Sequence, residues 1–123
     1  MGRAHALAEA HGGRYAFVSV YLAEAHASDE FPLGRHVEVR RHTTLDERRA
    51  AARGFAAAVG WRLPLYVDAL DDAIADALRA HPERFYVLAP ADDGRTVLRF
   101  VAPGRNGGVD IGDLEDFLLR HAP

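Results

Sequence analysis

The order of apolar and polar positions predicts short helices that alternate with short strands. Residues 3–11 are typical of a helix, which Gly12 and Gly13 end. Residues 15–22 form a continuous apolar, β-branched and aromatic run, which is typical of a buried strand in a parallel sheet. Residues 36–40 alternate in polarity and predict a short edge strand.

A capping box predicts where the next helix begins. Thr44 and Glu47 have the spacing at which a cap side chain and the third helical residue bind each other's backbone N–H groups. Gly60 ends this helix. Arg48 and Arg49 are expected on its solvated side. Its apolar face comprises Leu45, Ala52, Phe55, Ala56 and Val59.

A second strand and a third helix are expected next. Residues 63–67 predict the strand, and residues 68–80 predict the helix, which Pro82 follows. The apolar side chains that this helix would bury are Leu70, Ile74, Ala77 and Leu78.

The last part of the chain predicts a hairpin and a helix. Residues 84–88 and 96–101 are apolar runs on either side of the turn-forming residues 91–94. Asp110 begins the final helix. Its inward side chains are expected to be Ile111, Leu114, Phe117 and Leu118.

The predicted order, α-β-α-β-α-β-β-α, indicates one α/β domain over residues 1–123. It resembles the second part of a thioredoxin-like fold, and the strand and helix at 63–80 resemble the elaboration of peroxiredoxins. Pro82 stands where thioredoxin-like proteins carry a cis-proline that faces the active site. It is equally explained as the residue that stops the preceding helix.

Composition narrows the classes of function. Of the 123 residues, 49% are hydrophobic and 27% are charged, as expected of a domain with a packed core. The net charge of -3 does not resemble a nucleic-acid binder. No apolar run approaches the ~20 residues of a membrane span, and the N-terminus does not resemble a signal peptide. We therefore expect a cytoplasmic protein without nucleic-acid or membrane partners.

Residue usage also limits the chemistry. There are no cysteines, so disulfides, thiolate metal sites and thiol redox chemistry within these residues are excluded. All 15 basic residues are arginine, which, with the heavy use of alanine, indicates a GC-rich bacterial genome. The seven histidines form no helical metal-binding pair, so we expect neither a metal nor a cofactor.

Polar side chains follow the strand predicted at 15–22. These are Glu24, His26, Ser28 and Asp29. Since ligands of α/β proteins bind at the carboxyl ends of strands, the sequence predicts a candidate site here. The alternative is a solvated loop in which Asp29 is a turn residue.

The same segment resembles one enzyme family. Residues 24–29, Glu-Ala-His-Ala-Ser-Asp, resemble a motif of the iodothyronine deiodinases. His42 and the helix after it resemble the family's histidine-led second helix, and residues 82–88 resemble its Pro-Glu-Arg-aromatic entry to the hairpin. Gly104 and Arg105 resemble a loop present in some members. The resemblance covers nearly the whole chain.

The resemblance implies roles for particular residues. In that family a selenocysteine or cysteine attacks iodine on a phenolic ring, while other side chains hold the substrate and manage protons. The candidate catalytic residues are then Glu24, His26 and His42. The implied substrate-binding residues are His26, Ser28, Pro82 and Arg105. His42 alternatively only precedes a helix cap, and Arg105 alternatively lies in a solvated loop.

The nucleophile of the family has no counterpart in these residues. No serine or threonine replaces it, because halogen abstraction needs a soft, polarisable atom. We therefore expect a pseudoenzyme, inactive alone, that binds an aromatic or phenolic small molecule. Two alternatives are an N-terminally incomplete oxidoreductase and a self-associating interaction module.

The first core strand of the thioredoxin-like fold is also absent from the pattern. Its place is in the centre of the sheet, between the strands predicted at 15–22 and 84–88. Each of these would present an unpaired edge, which is an aggregation liability. The two strands could pair directly, a homodimer could supply the pairing, or an upstream segment could do so.

Overall fold

The fold alternates helices and strands, which confirms the α/β class. The computed structural model describes residues 2–24, 39–80, 83–103 and 109–121. The elements of these residues are α1 Gly2–His11, β1 Ser19–Tyr21, α2 Leu45–Val59, β2 Leu65–Val67, α3 Ala73–Leu78, β3 Tyr86–Pro90, β4 Thr96–Val101 and α4 Ile111–Arg120.

β1 and β2 form a parallel pair. Ser19 lies opposite Leu65 and Tyr21 opposite Val67. The Ser19 N–H donates to the Pro64 carbonyl at 2.8 Å, and the Asp68 N–H donates to the Tyr21 carbonyl at 3.0 Å. Both strands are shorter than predicted, because an apolar run is a strand only where a neighbour takes up its backbone hydrogen bonds. Both predicted limits of the strand at 15–22 and the predicted start of the strand at 63–67 were therefore wrong, whereas the predicted end at Val67 is confirmed.

β3 and β4 form the predicted antiparallel hairpin. Tyr86 pairs with Val101 and Pro90 with Thr96, and the register shifts between Val87 and Leu88. Gly94 turns the chain with a φ of 79°, a conformation that glycine adopts without steric cost. β3 begins and ends two residues later than predicted.

The two strand pairs are separate sheets. Within the described residues β1 and β3 do not pair, so the first of the three expected resolutions is not the one observed. Exposed apolar side chains accompany these strands: Val18, directly before β1, is 58% exposed, and Leu88 of β3 is 49% exposed. The strand predicted at 36–40 lies mostly outside the described residues, and Val39 and Arg40 are not in a strand.

α2 confirms both signals that predicted its ends. The Glu47 N–H donates to the Thr44 hydroxyl at 3.1 Å, and the Thr44 N–H donates back to the Glu47 carboxylate at 3.3 Å. The Thr43 N–H donates to the same carboxylate, and these bonds hold the pKa of Glu47 below its usual value. Gly60 ends the helix in the left-handed region at φ 63°. Val59, expected on the apolar face, is exposed.

α3 differs most from its prediction, since it begins at Ala73 instead of Asp68. The Asp68 carboxylate accepts hydrogen bonds from the N–H groups of Ala69, Ile74 and Ala75, at 2.9, 3.0 and 2.9 Å. A side chain that binds backbone ahead of it replaces the first helical turn with a loop. Leu70 and Ile74, predicted to be buried, are exposed for this reason.

The main core joins α1, β3 and α4. Leu114 and Leu118 of α4 are buried against Leu7 of α1 and Val87 of β3, as predicted for α4. The Asp110 carboxylate accepts from the Gly112 N–H at 2.8 Å and caps α4. Side chains packed around this core are Tyr15, Phe17, Phe85, Phe100, Ile111 and Phe117.

Two glycines of α2 provide a matched test of these backbone assignments. Gly60→Ala places a Cβ at φ 63° and should lower the free energy of unfolding by about 1–2 kcal/mol. Gly54→Ala lies inside the helix, where a Cβ meets no atom within 4 Å, and should raise it by about 0.5–1 kcal/mol. Urea unfolding measures both. Effects of the same sign would contradict the assigned end of α2.

Candidate functional site

The candidate site lies at the carboxyl ends of β1 and β2, where the start of α2 also arrives. The Asp68 N–H donates to the Tyr21 carbonyl, so the two strand ends are held side by side. His42 precedes the cap of α2, and Glu24 follows β1 by three residues. This is the edge of an α/β sheet at which ligands bind.

Tyr21 and Glu24 form a hydrogen-bonded pair, in which the Tyr21 hydroxyl donates to Glu24 Oε1. Burial raises the pKa of Tyr21, and Glu24 raises it further. The phenol therefore keeps its proton at neutral pH and stays a donor. Sequence reasoning assigned no role to Tyr21, although its place three residues before Glu24, at the end of an apolar strand, was a usable signal.

His42 is buried, with 8% of its surface exposed. Its ring lies 6.2 Å from that of Tyr21, centroid to centroid. Neither Nδ1 nor Nε2 has a hydrogen-bond partner among the described residues. A neutral imidazole offers one donor and one acceptor, and buried polar groups of this kind normally have partners. His42 is therefore the group in this site best suited to bind a polar atom of a ligand.

The protonation of His42 is opposed by its surroundings. Burial lowers the pKa of His42, and the positive charge of Arg48 lowers it further. The carboxylates of Glu24 and Glu47 act in the opposite direction and do not reverse the shift. The imidazole is therefore uncharged at neutral pH and can both donate and accept a hydrogen bond.

Arg48 is buried, and its prediction as a solvated residue was wrong. Its side chain is 3% exposed, whereas the neighbouring Arg49 side chain is 54% exposed, as predicted. Arg48 Nη1 donates to the carbonyls of Asp68 and Ala69 at 3.2 and 2.6 Å and to Asp72 Oδ1 at 2.9 Å. A charge run along a helix gives no local sign of which arginine turns inward.

A row of aromatic rings borders the site. Phe55 lies 5.9 Å from Tyr21 and 5.9 Å from Trp61, and Trp61 lies 5.1 Å from His5. The Arg62 N–H donates to His5 Nε2 at 3.2 Å, which fixes the far end of the row. Phe55, predicted on the apolar face of α2, and Trp61 are both half-buried.

The structure brings together two of the predicted site residues, Glu24 and His42, which both contact Tyr21. The other predicted residues lie outside the described residues; they are His26, Ser28, Pro82 and Arg105. The described parts of the chain contain no group of three or more histidine, aspartate or glutamate side chains that could hold a metal ion. They also contain no helix that is long and apolar enough to cross a membrane.

A separate groove of about 580 Å³ lies between α2 and β2. Tyr66 contributes to its wall, and Arg49 and Arg53 also line it. None of Tyr21, Glu24 and His42 lines this groove, so it is not part of the candidate site.

The lowered pKa of His42 has a consequence for stability. In the unfolded chain His42 has the ordinary histidine pKa of about 6.5. In the folded chain its pKa is lower, so it binds a proton only at lower pH. The free energy of unfolding should therefore fall as the pH drops below about 6.5. His42→Gln should show a smaller fall between pH 7.5 and 5.5 in urea unfolding. An equal fall in both proteins would contradict the assignment.

Two curated proteins similar to this chain are both named iodothyronine deiodinases. Type I iodothyronine deiodinase of Xenopus laevis is 32% identical over 72 residues, which are 58% of this chain and 28% of that protein. Type II iodothyronine deiodinase of Petromyzon marinus is 39% identical over 82 residues, which are 64% of this chain and 27% of that protein. The matched segment thus spans less than a third of either relative.

The match to the family as a whole is longer. The sequence model of the iodothyronine deiodinase family matches residues 2–97, a range that includes α1, α2, the described site residues Tyr21, Glu24 and His42, and the start of β4, but not Arg105. The chain therefore belongs to the iodothyronine deiodinase family.

Proposed function

We propose that this chain carries the ligand-holding part of a thioredoxin-like deiodinase domain and binds a phenolic or aromatic acid. The observation that carries the proposal is His42, which is buried beside the Tyr21–Glu24 pair with both ring nitrogens unpartnered among the described residues. Its position at the carboxyl ends of two parallel strands supports a ligand at this place.

The chemistry of the described residues suits a phenolic hydroxyl. One nitrogen of a neutral imidazole can accept a hydrogen bond from a phenolic hydroxyl, and the other nitrogen can donate a hydrogen bond. The Tyr21 hydroxyl donates to Glu24, so its oxygen retains the capacity to accept a hydrogen bond. Glu24, Tyr21 and His42 can then exchange protons with a bound phenol.

Residues outside the described part would complete the pocket. We propose that Arg105 binds the carboxylate of the ligand, since a guanidinium binds a carboxylate through two parallel hydrogen bonds. His26 and Ser28, close in sequence to Glu24, would contact the phenolic end, and Pro82 would border it. These roles rest on the family resemblance.

The proposed role within these residues does not include redox chemistry. Carbon–halogen cleavage needs a soft nucleophile, and the 123 residues contain no cysteine. The alternative is that the same pocket serves a nucleophile from elsewhere in a longer oxidoreductase, since the matched segment is 28% or less of its relatives. An in-frame cysteine or selenocysteine codon after a strand-coding segment in the upstream DNA would favour this alternative, whereas an in-frame stop codon directly upstream would oppose it.

Ligand binding tests the pocket directly. Titration calorimetry with 3,5-diiodotyrosine, an iodinated phenol that also carries a carboxylate, should show binding to the wild-type protein. His42→Ala should weaken it by about 1–3 kcal/mol, the cost of leaving a buried polar group unpaired. His26→Ala should have an effect of the same size.

The groove between α2 and β2 supplies the control for this titration. Arg53→Ala alters that groove and leaves the candidate site unchanged, so its affinity should equal that of the wild-type protein. Unchanged affinity in both histidine variants would overturn the assigned roles. A loss in Arg53→Ala would move the binding site to the groove.

A second candidate function is self-association through strand edges. It is favoured by the two separate sheets of the described residues, and by the exposed apolar residues Val18, directly before β1, and Leu88 in β3. Natural sheets normally protect such edges with charges or coverage.

Light scattering distinguishes this candidate. The wild-type protein should have a mass that rises with concentration above the 13.5 kDa of one chain. Leu88→Lys places a charge on β3 and should shift the mass towards one chain, while Leu119→Lys, at a more exposed site on α4, should not. A wild-type protein that stays at the mass of one chain throughout would exclude this function.

A further inference from the structure

We propose that Arg48 is a positioning residue of the candidate site, which ties the first turn of α2, and with it His42, to the carboxyl end of β2. Arg48 Nη1 makes three hydrogen bonds within the protein, and Arg48 Nε is buried without a partner among the described residues, so the role assigned here acts through His42. The consequence for ligand binding rests on the proposed function, whereas the effect on His42 itself does not.

The contacts of Arg48 are concentrated on one short segment. The carbonyls of Asp68 and Ala69 and the carboxylate of Asp72 all belong to the connection between β2 and α3. Arg48 lies in the first turn of α2, six residues after His42. A buried guanidinium is stable only where its acceptors stay in place, so these contacts fix the start of α2 against the end of β2.

The segment that accepts these bonds is itself held. Asp68, 1% exposed, accepts from three backbone N–H groups, of which those of Ile74 and Ala75 belong to α3. Asp72 has a φ of 56°, a left-handed conformation that aspartate and asparagine tolerate better than most residues. The acceptors of Arg48 are therefore organised before the arginine binds them.

The charged and titratable groups that face His42 come from two sides. Arg48 and Glu47 belong to α2, and Glu24 and Tyr21 belong to the end of β1. Arg48 opposes a proton on the imidazole, and the two carboxylates favour one. Because Arg48 is fixed and buried, its charge is poorly screened by solvent. A second positive charge at His42 is disfavoured as long as Arg48 keeps this position.

A neutral His42 determines which ligand groups the site accepts. An imidazolium only donates hydrogen bonds, whereas the neutral ring also accepts one. Because Arg48 keeps His42 neutral, the site would bind a hydroxyl that donates a hydrogen bond, such as the phenol of the proposed ligand, at neutral pH.

NMR titration of the His42 ring protons in ligand-free protein tests the role of Arg48. In Arg48→Met the pKa of His42 should move upwards, because a buried positive charge is removed. In Asp72→Asn it should move downwards, because the guanidinium loses its neutralising carboxylate while asparagine keeps the left-handed backbone. Arg53→Met removes an exposed arginine of the same helix and should leave the pKa of His42 unchanged.

The opposite directions separate positioning from simple structural support. Loosening of the fold would expose His42 and raise its pKa in both Arg48→Met and Asp72→Asn. An upward shift in Asp72→Asn, or no shift in a folded Arg48→Met, would overturn the proposal. Where Arg48→Met does not fold, Asp72→Asn and the charge-retaining Arg48→Lys decide, and Arg48→Lys should keep the pKa of His42 low.

Ligand titration then separates this inference from the proposed function. Binding of 3,5-diiodotyrosine should weaken at low pH, where His42 becomes charged. In Arg48→Met this weakening should begin at a higher pH, because the pKa of His42 is higher in that variant. If no variant and no wild-type protein binds this ligand while the NMR shifts are as expected, the proposed function fails and the role of Arg48 stands.

Discussion

A buried guanidinium needs acceptors, and the acceptors of Arg48 determine how the middle of this chain is arranged. Arg48 is buried and donates to Asp68, Ala69 and Asp72, which follow β2. Removing Asp72 would leave the buried charge of Arg48 without its carboxylate, and because Asp72 is 38% exposed the cost would lie below the ~3–5 kcal/mol of a fully buried pair. The parallel pair of three-residue strands is too short to fix this arrangement alone.

The same contact connects the fold to the site. His42 lies just before α2, and the bonds of Thr43 and Thr44 to Glu47 hold the intervening turn against the helix. A helix start that is fixed by Arg48 therefore fixes His42 as well. Tyr21 is placed independently, by the pairing of β1 with β2. The rings of His42 and Tyr21 lie close together because α2 and β1 are each held against β2 or the residues that follow it.

Local interactions explain what could be predicted from the sequence. The capping box at Thr44, the end of α2 at Gly60 and the cap of α4 at Asp110 all depend on residues at most four positions apart. The position of Glu24 after a predicted strand also made it a site candidate, whereas His42 became one only through the family resemblance. The failures depend on distant partners. Arg48 is buried by acceptors 20 to 24 positions away, and Asp68 replaces a helical turn only because it reaches Ile74 and Ala75 in a fixed loop.

One edge of β1 has no partner strand among the described residues, and this edge links the two candidate functions. The backbone groups of Ser19 and Tyr21 bond to β2, so those of Val18 and Val20 face the opposite edge, since alternate residues of a parallel strand bond to opposite sides. Any segment that pairs there in a parallel direction ends beside Tyr21, next to its bond with Glu24. Such a segment would bring its own last residues into the site. Pairing at this edge would therefore affect ligand binding at the proposed site, because it would bring further residues next to Tyr21 and Glu24.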